Sequence, residues 1–155
     1  MIPAFRPGRR ALSGLLICLA IAPEVRAQAA KPAVLTEAGL ALRGFDPVAY
    51  FAAGAPVRGE QRFEVEWGGA RWRFASAANR DRFLADPARH APAYGGYCAW
   101  AVAQGYTAPG DPRHWRIEGG RLYLNFDAAV HRRWLRDIPG FIAAADRNWP
   151  GVLSR

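Results

Sequence analysis

Two Gly-Gly pairs, each set between stretches of alternating apolar and polar residues, constrain the fold more than any other feature of this sequence. Before Gly68-Gly69, the apolar Phe63, Val65 and Trp67 alternate with glutamates. Strand side chains point alternately to opposite faces, and a Gly-Gly pair readily takes the positive φ angles of a two-residue hairpin turn. Residues 62–75 are therefore predicted to form a β-hairpin. Its predicted pairs are Trp67 with Ala70, Val65 with Trp72, and Phe63 with Phe74.

The second pair, Gly119-Gly120, predicts another hairpin over residues 114–126. Folding the chain at this turn brings apolar residues together on one face and sets one pair of opposite charges across the strands. The predicted pairs are Ile117 with Leu122, Trp115 with Leu124, and Glu118 with Arg121 as an ion pair.

Each predicted hairpin is followed by a helix with a capping residue. Ser76 and Asp127 precede the helical patterns, and short oxygen-bearing side chains accept the unpaired N–H groups of a first turn. Phe83 and Leu84 in the first helix are predicted to face the sheet, and the second helix carries the apolar Val130, Trp134 and Leu135. The two hairpin-plus-helix units align at an offset of 51 residues, which suggests a duplication, although the return strands alternate out of phase.

The overall composition supports one domain. The chain has 155 residues, 51% of them hydrophobic, which is sufficient for a single core. Hairpins interspersed with short helices, including a last one over residues 141–149, predict a small single-domain α+β fold.

The N-terminus has the features of a secretory signal. Three arginines precede the apolar run of residues 11–22, and small residues follow, so cleavage is predicted after Ala27 or Ala29. The predicted organisation is a signal peptide over residues 1–27, a loose linker over 28–39 and a folded domain over 40–153. We therefore expect a periplasmic or secreted protein. No later stretch is apolar and long enough to predict a membrane span after cleavage.

The charge of the chain does not indicate a nucleic-acid partner. Residues 1–27 hold four Arg and one Glu, so their removal lowers the formal net charge from +8 to +5. The remaining arginines are scattered and form no basic stripe.

Cys98 is the only thiol expected after signal removal, because Cys18 lies in the apolar run of residues 11–22. Gly95-Gly96 predicts a sharp turn, and residues 97–104 are predicted to form a short helix that ends at Gly105. Cys98 would then lie in the first helical turn, where unpaired N–H groups favour a thiolate. An unpaired thiol in an oxidising compartment suggests burial, a ligand or redox chemistry.

Several motifs in order resemble the exported branch of the YHS-domain family: GFDPVAYF at residues 44–51, RWRFASAANRDRFLADP at 71–87, YGGYCAWAVAQGYTAPGDP at 94–112, LYLNF at 122–126 and NWPGVL at 148–153. The resemblance implies a compact module associated with metal handling. The positions of the family's Cys ligands are here Ala49, Ala75 and Asn79, which are no ligands for a soft metal. In the exported branch some members place selenocysteine at the position matching Cys98, which implies redox or soft-metal chemistry there.

The leading hypothesis is that the protein binds or handles a soft transition metal, copper first, with Cys98 as thiolate ligand and His114 as a second ligand. His114 opens a strand close to the central loop, whereas His90 and His131 are weaker candidates. The only Met is Met1, so no axial thioether is expected.

Two alternatives remain open. In a thiol redox or peroxide-reactive protein, Cys98 would be the nucleophile, with Tyr97 and Asp111 around it, and Trp100 and Tyr106 would line the binding pocket. In a non-catalytic interaction module, Cys98 would be a buried structural residue. The expected partners are a metal ion or a small thiol-reactive molecule, together with a metal-handling or redox protein. For Asp46, a helix cap is the expected role.

Overall fold

A computed structural model describes residues 29–155; the predicted signal peptide and Cys18 lie outside the described residues. The described chain is a small α+β domain, as predicted, with two antiparallel hairpins in separate sheets. The strands are β1 Thr36–Glu37, β2 Leu40–Ala41, β3 Glu60–Trp67, β4 Ala70–Phe74, β5 Asp111–Glu118 and β6 Arg121–Asn125. The α-helices are α1 Ala49–Ala52, α2 Ala77–Ala85, α3 Pro87–His90, α4 Ala99–Ala103, α5 Ala128–Trp134 and α6 Ile138–Asn148. Single 3₁₀ turns occupy Leu42–Gly44, Ala93–Gly96 and Gly151–Ser154.

The first hairpin belongs to a four-stranded sheet in the order β1-β2-β4-β3. The predicted pairs nearest its turn, Trp67 with Ala70 and Val65 with Trp72, are confirmed. The predicted pairing of Phe63 with Phe74 is wrong: Phe74 is opposite Glu60. A bulge between Glu60 and Glu64 adds residues to β3 and shifts the register.

The second hairpin, β5-β6, has the predicted register at all three pairs. The ion pair expected between Glu118 and Arg121 is absent from the described residues. Instead Glu118 accepts from Arg116 at 3.0 Å, whereas the Arg121 guanidinium lies 3.5 Å from the Asp146 carboxylate of α6. Arg121 also lies over the ring of Tyr123, and these contacts turn it away from the neighbouring strand.

The predicted caps are confirmed, because Ser76 Oγ accepts from Asn79 N at 3.1 Å and Asp127 Oδ1 accepts from Val130 N at 2.8 Å. Phe83 and Trp134 are fully buried. Leu84, predicted to face the sheet, is instead 52% exposed, and Leu135 is 39% exposed. Consecutive helical residues point about 100° apart, so only one of each pair can face the core. The last helix begins at Ile138 rather than at residue 141 because Asp137 caps it through Gly140 N at 3.0 Å.

Strand β6 is buried on both faces and separates two apolar clusters. Leu122 and Leu124 pack with Trp72 and Phe83 of the first cluster, whereas Tyr123 packs with Trp134 of the second. The segment that follows the 3₁₀ turn at Ala93–Gly96 lies beside this strand, since Cys98 forms a parallel bridge with Leu124. The central stretch is therefore held inside the domain.

The segment predicted as a loose linker, residues 28–39, is attached to the domain over much of its length. Lys31 N donates to Leu153 O at 2.8 Å, and Leu35 N donates to Gly95 O at 2.9 Å. Val34 and Leu35 pack against the two clusters, and this burial of apolar side chains accounts for the attachment.

The elements follow one order in both halves of the described chain: a 3₁₀ turn, a short helix, a hairpin and two capped helices. In the first half these are Leu42–Gly44, α1, β3-β4, α2 and α3; in the second they are Ala93–Gly96, α4, β5-β6, α5 and α6.

Candidate functional site

Cys98 lies immediately before helix α4 and is fully buried. Its backbone is extended, with φ −60° and ψ 118°, and its N–H donates to Ala108 O at 2.8 Å. The expectation that Cys98 lies in the first turn of a helix over residues 97–104 is therefore wrong; the helix begins one residue after it. The bond to Ala108 holds residue 98 in the extended conformation and fixes the side chain against β6.

The protonation of Cys98 is set by opposing effects. Burial raises the pKa of the thiol, whereas backbone hydrogen bonds from Ala101, Phe126 and Trp100 lower it, and the Asp127 carboxylate raises it again. The pKa is raised overall above the ordinary value of a free thiol. The predicted acidic thiolate is consequently wrong for the reduced protein, because loss of solvation outweighs the backbone N–H groups.

A cavity of about 180 Å³ adjoins the Cys98 side chain. Its walls are mainly apolar and aromatic: Cys98, Trp100, Ala101, Tyr106, Ala108, Phe126 and Val130. The structure thus places Trp100 and Tyr106, both predicted pocket residues, beside the thiol, with their rings edge to face at 6.4 Å between centroids. Tyr106 and Phe126 are about half exposed and form the outer rim.

Asn125 is a site residue that the sequence reading missed. Its fully buried side chain accepts from Cys98 Sγ at 3.8 Å and from Trp100 N at 3.3 Å through Oδ1. Its Nδ2 lies 3.1 Å from His131 Nδ1. The sequence does indicate Asn125 as a candidate, because it is a polar residue within the apolar run LYLNF. A buried strand tolerates such a residue only when the side-chain amide is hydrogen-bonded.

The histidines are arranged differently from the expectation. His131 contacts Asn125 directly, and His114 lies on the far side of His131 with 6.5 Å between ring centroids. The pKa of His131 is lowered by burial and by the neighbouring His114 and Arg116 charges. His131, rather than the predicted His114, is therefore the histidine connected to Cys98 through Asn125.

Tyr97 and Asp111, the predicted neighbours of the thiol, have other partners. The Tyr97 hydroxyl donates to Pro32 O at 2.9 Å. The Asp111 carboxylate accepts from Arg113 at 2.7 Å and from Arg43 at 3.3 Å. The Arg113 guanidinium holds the pKa of Asp111 well below its usual range. Both residues therefore have structural contacts that explain their positions without the thiol.

Ala49, Ala75 and Asn79 lie together around Asp46. The fully buried Asp46 carboxylate accepts from Ala49 N at 3.2 Å, Ala75 N at 2.9 Å and Asn79 Nδ2 at 2.7 Å, besides Val48 N at 2.8 Å. Asp46 is thus more than the helix cap that was expected. A hydrogen-bonded carboxylate occupies the place where these positions converge.

The groups next to Cys98 are an amide and mainly apolar and aromatic side chains. Within residues 29–155 no group of three or more His, Cys, Asp or Glu side chains could hold a metal ion. The Cys98 thiol itself contacts an amide, and an amide oxygen is a poor ligand for a soft ion.

None of the helices in residues 29–155 is long and apolar enough to cross a membrane. Comparison of the chain with protein-family models, with curated proteins and with solved structures found no match. What is shown is a small α+β domain with a buried cysteine beside an aromatic cavity.

Proposed function

We propose that this protein is a thiol redox protein in which Cys98 reacts with a peroxide. One observation carries the proposal: Cys98 lines a cavity, and the backbone N–H groups of three nearby residues counteract the effect of burial on its pKa. A volume of about 180 Å³ exceeds the ~30 Å³ that one water occupies in the liquid, so the cavity can hold a small peroxide next to Cys98.

The chemistry needs only the thiol and a peroxide. The Cys98 thiolate attacks one peroxide oxygen, the O–O bond breaks, and the leaving hydroxide takes up a proton to become water. The sulfur is oxidised by two electrons to a sulfenate, and the peroxide is reduced. The backbone N–H groups of Trp100, Ala101 and Phe126 favour the thiolate that must form before the attack.

The raised pKa of Cys98 predicts how the reaction depends on pH. The thiolate is the nucleophile, and burial keeps the thiol protonated at neutral pH. The rate should therefore rise with pH beyond ~8.5, the pKa of an ordinary Cys. The site reacts slowly at neutral pH, as suits a protein that responds to peroxide rather than one that removes it rapidly.

The reductant must come from another molecule. The chain has two Cys, and Cys18 lies in the predicted signal peptide, so the exported chain offers no second thiol to form an internal disulfide with Cys98. The proposed partner is a small thiol or a dithiol protein that attacks the Cys98 sulfenate.

The proposal is tested by stepwise addition of hydrogen peroxide at pH 7 and pH 9, with intact mass and peptide mapping as the readout. We expect oxygen addition at Cys98, faster at pH 9 and absent in Cys98→Ser. Val130→Phe, which fills the cavity from its wall, should slow the reaction several-fold without removing the thiol. Background oxidation is small because Met1 is the only methionine.

The proposal is refuted if Cys98 stays reduced in the folded protein at peroxide concentrations that oxidise it in the unfolded chain. That result would favour a buried structural cysteine. Cu(I) competition titration on the same preparations provides the second control. Tight Cu(I) binding that is lost in both Cys98→Ser and His131→Ala would replace the redox proposal with metal binding.

A further inference from the structure

The two halves of the domain repeat an unusual backbone conformation. In the first, Leu42, Arg43 and Gly44 have φ angles of 50°, 51° and 80°. In the second, Tyr94, Gly95 and Gly96 have φ angles of 54°, 60° and 88°. Left-handed backbone is uncommon for residues other than glycine, so three such residues in succession, twice, make a reliable basis for aligning the halves.

The hydrogen bonds after each left-handed segment also match. Phe45 N donates to Leu42 O and Tyr97 N to Tyr94 O, both at 3.0 Å. The next residue donates at 2.8 Å in both halves, Asp46 N to Val57 O and Cys98 N to Ala108 O. Gly59 N donates to Gly44 O at 2.9 Å, as Gly110 N does to Gly96 O at 3.1 Å. Asp46 and Cys98 therefore occupy equivalent places.

The surroundings of the two side chains are equivalent as well. The Asp46 carboxylate accepts from the backbone N–H groups of Val48, Ala49 and Ala75. Their counterparts in the second half are Trp100, Ala101 and Phe126, the same three residues whose backbone N–H groups lower the pKa of Cys98. We name each set of three backbone N–H groups a cradle. The first half thus shows what a cradle of this kind holds: a fully buried carboxylate.

One difference leaves room in the second half. The third residue after the helix cap is Asn79 in the first half, and its Nδ2 donates to Asp46 at 2.7 Å. The corresponding residue after Asp127 is Val130, which lines the cavity beside Cys98. A thiol is also smaller than a carboxylate. The cavity lined by Cys98 and Val130 therefore supplies the volume that two further oxygen atoms on the sulfur need.

We infer that the cradle around Cys98 is an oxyanion site and that its occupant is the sulfinate of Cys98. A sulfinate carries two oxygens on the sulfur bonded to Cβ, as a carboxylate carries two on the carbon bonded to Cβ. This inference rests on the proposed function for the first oxidation. A second peroxide then reacts at the sulfenate sulfur: its O–O bond breaks, one oxygen is transferred, the sulfur loses two electrons and water leaves.

The groups that face the sulfur define what must change on oxidation. Asn125 Oδ1, which now accepts from the thiol and from Trp100 N, would repel a sulfinate oxygen. The amide therefore turns its Nδ2 toward the anion and accepts from His131 Nδ1–H instead, which releases the Trp100 N–H to donate to the sulfinate. The Asp127 carboxylate opposes the added charge. The three backbone N–H groups outweigh it, as such groups stabilise the Asp46 carboxylate.

The Cys98→Asp substitution tests the inference without any peroxide. Aspartate in a buried apolar site normally prevents folding, but in a cradle like that of Asp46 it should be accepted. We expect Cys98→Asp to unfold cooperatively at pH 7 with a midpoint within about 5 °C of the parent. The matched control is Val102→Asp, which lies in helix α4 four residues after Cys98 and is equally buried. This variant should melt at least about 15 °C lower or fail to fold.

A second measurement covers the case in which Cys98→Asp misfolds through local crowding. Protein oxidised to the Cys98 sulfinate, verified by mass, should melt at or above the temperature of the reduced protein. The inference is overturned if Cys98→Asp behaves like Val102→Asp and the sulfinate form also melts lower than the reduced form. If Cys98→Asp is stable but the Cys98 thiol of the parent protein never reacts with peroxide, the proposed function is refuted while the oxyanion site is retained.

Discussion

Replacement of Asp46 by alanine should destabilise the domain more than loss of any ordinary helix cap. The Asp46 carboxylate is fully buried and accepts four hydrogen bonds at 2.7–3.2 Å. These join the start of α1 to the end of β4 and to α2. Asp46→Ala leaves two buried and two partly buried donors without an acceptor, and a hydrogen bond of this kind contributes at least about 1 kcal/mol net. The expected loss in the free energy of unfolding is therefore at least about 4 kcal/mol.

Two further variants should each lose less stability than Asp46→Ala. Asp46→Asn keeps one acceptor oxygen but turns an NH₂ group toward two of the four donors, so we expect a loss of about 2 kcal/mol. Asp127→Ala removes a helix cap with one hydrogen bond and should cost about 1 kcal/mol.

Urea unfolding followed by tryptophan fluorescence gives the free energies, with equal denaturant slopes as the check for two-state unfolding. A loss for Asp46→Ala no larger than that for Asp127→Ala would show that the four hydrogen bonds do not hold the first half together. It would also remove the basis for regarding the cradles as anion sites.

Three further predictions concern the rest of the domain. Arg113 lowers the pKa of Asp111, so the stability that this ion pair contributes is complete above the ordinary carboxylate pKa of ~3.9 and is lost as the pH falls below that value. Asp111→Asn should make the free energy of unfolding, measured by urea titration, depend less on pH in this acid range. The pKa of His131 is lowered, so its protonation opposes folding: stability should decline as the pH falls below ~6.5, and NMR titration should give a midpoint below that value. Phe83→Ala should lower the free energy of unfolding by about 3–4 kcal/mol, measured by thermal or urea unfolding, because Phe83 is buried. Leu84→Ala should change it by less than about 0.5 kcal/mol because Leu84 is exposed. Equal losses in the two variants would contradict the burial of Phe83 and the exposure of Leu84.

Much of the fold could be predicted because its signals are local. A Gly-Gly turn fixes the register of the residues next to it, and both hairpins pair as predicted near their turns. The caps at Ser76 and Asp127 follow from one side chain and its own helix. The bulge in β3 was missed because it depends on how a strand passes its neighbours, which the alternation of residues 63–67 does not show.

The site was predictable in position but not in chemistry. Glycines and a single thiol indicated the stretch around Cys98, and Trp100 and Tyr106 do lie in its cavity. The pKa direction was wrong because the sequence pattern showed a helix start but not the burial that outweighs it. Asn125 and His131 reach the thiol only through the packing of β6 against α5, a contact that has no local sequence signal.

The central claim is that Cys98 is a buried thiol whose oxidised anions are stabilised by backbone N–H groups. Its most direct test is the rate of peroxide oxidation of Cys98 between pH 6 and pH 10, measured by mass in the folded and in the urea-unfolded protein. We expect the folded protein to show a midpoint above the ~8.5 of the unfolded thiol and a faster limiting rate at high pH. A folded thiol that reacts more slowly than the unfolded one at every pH would contradict the claim.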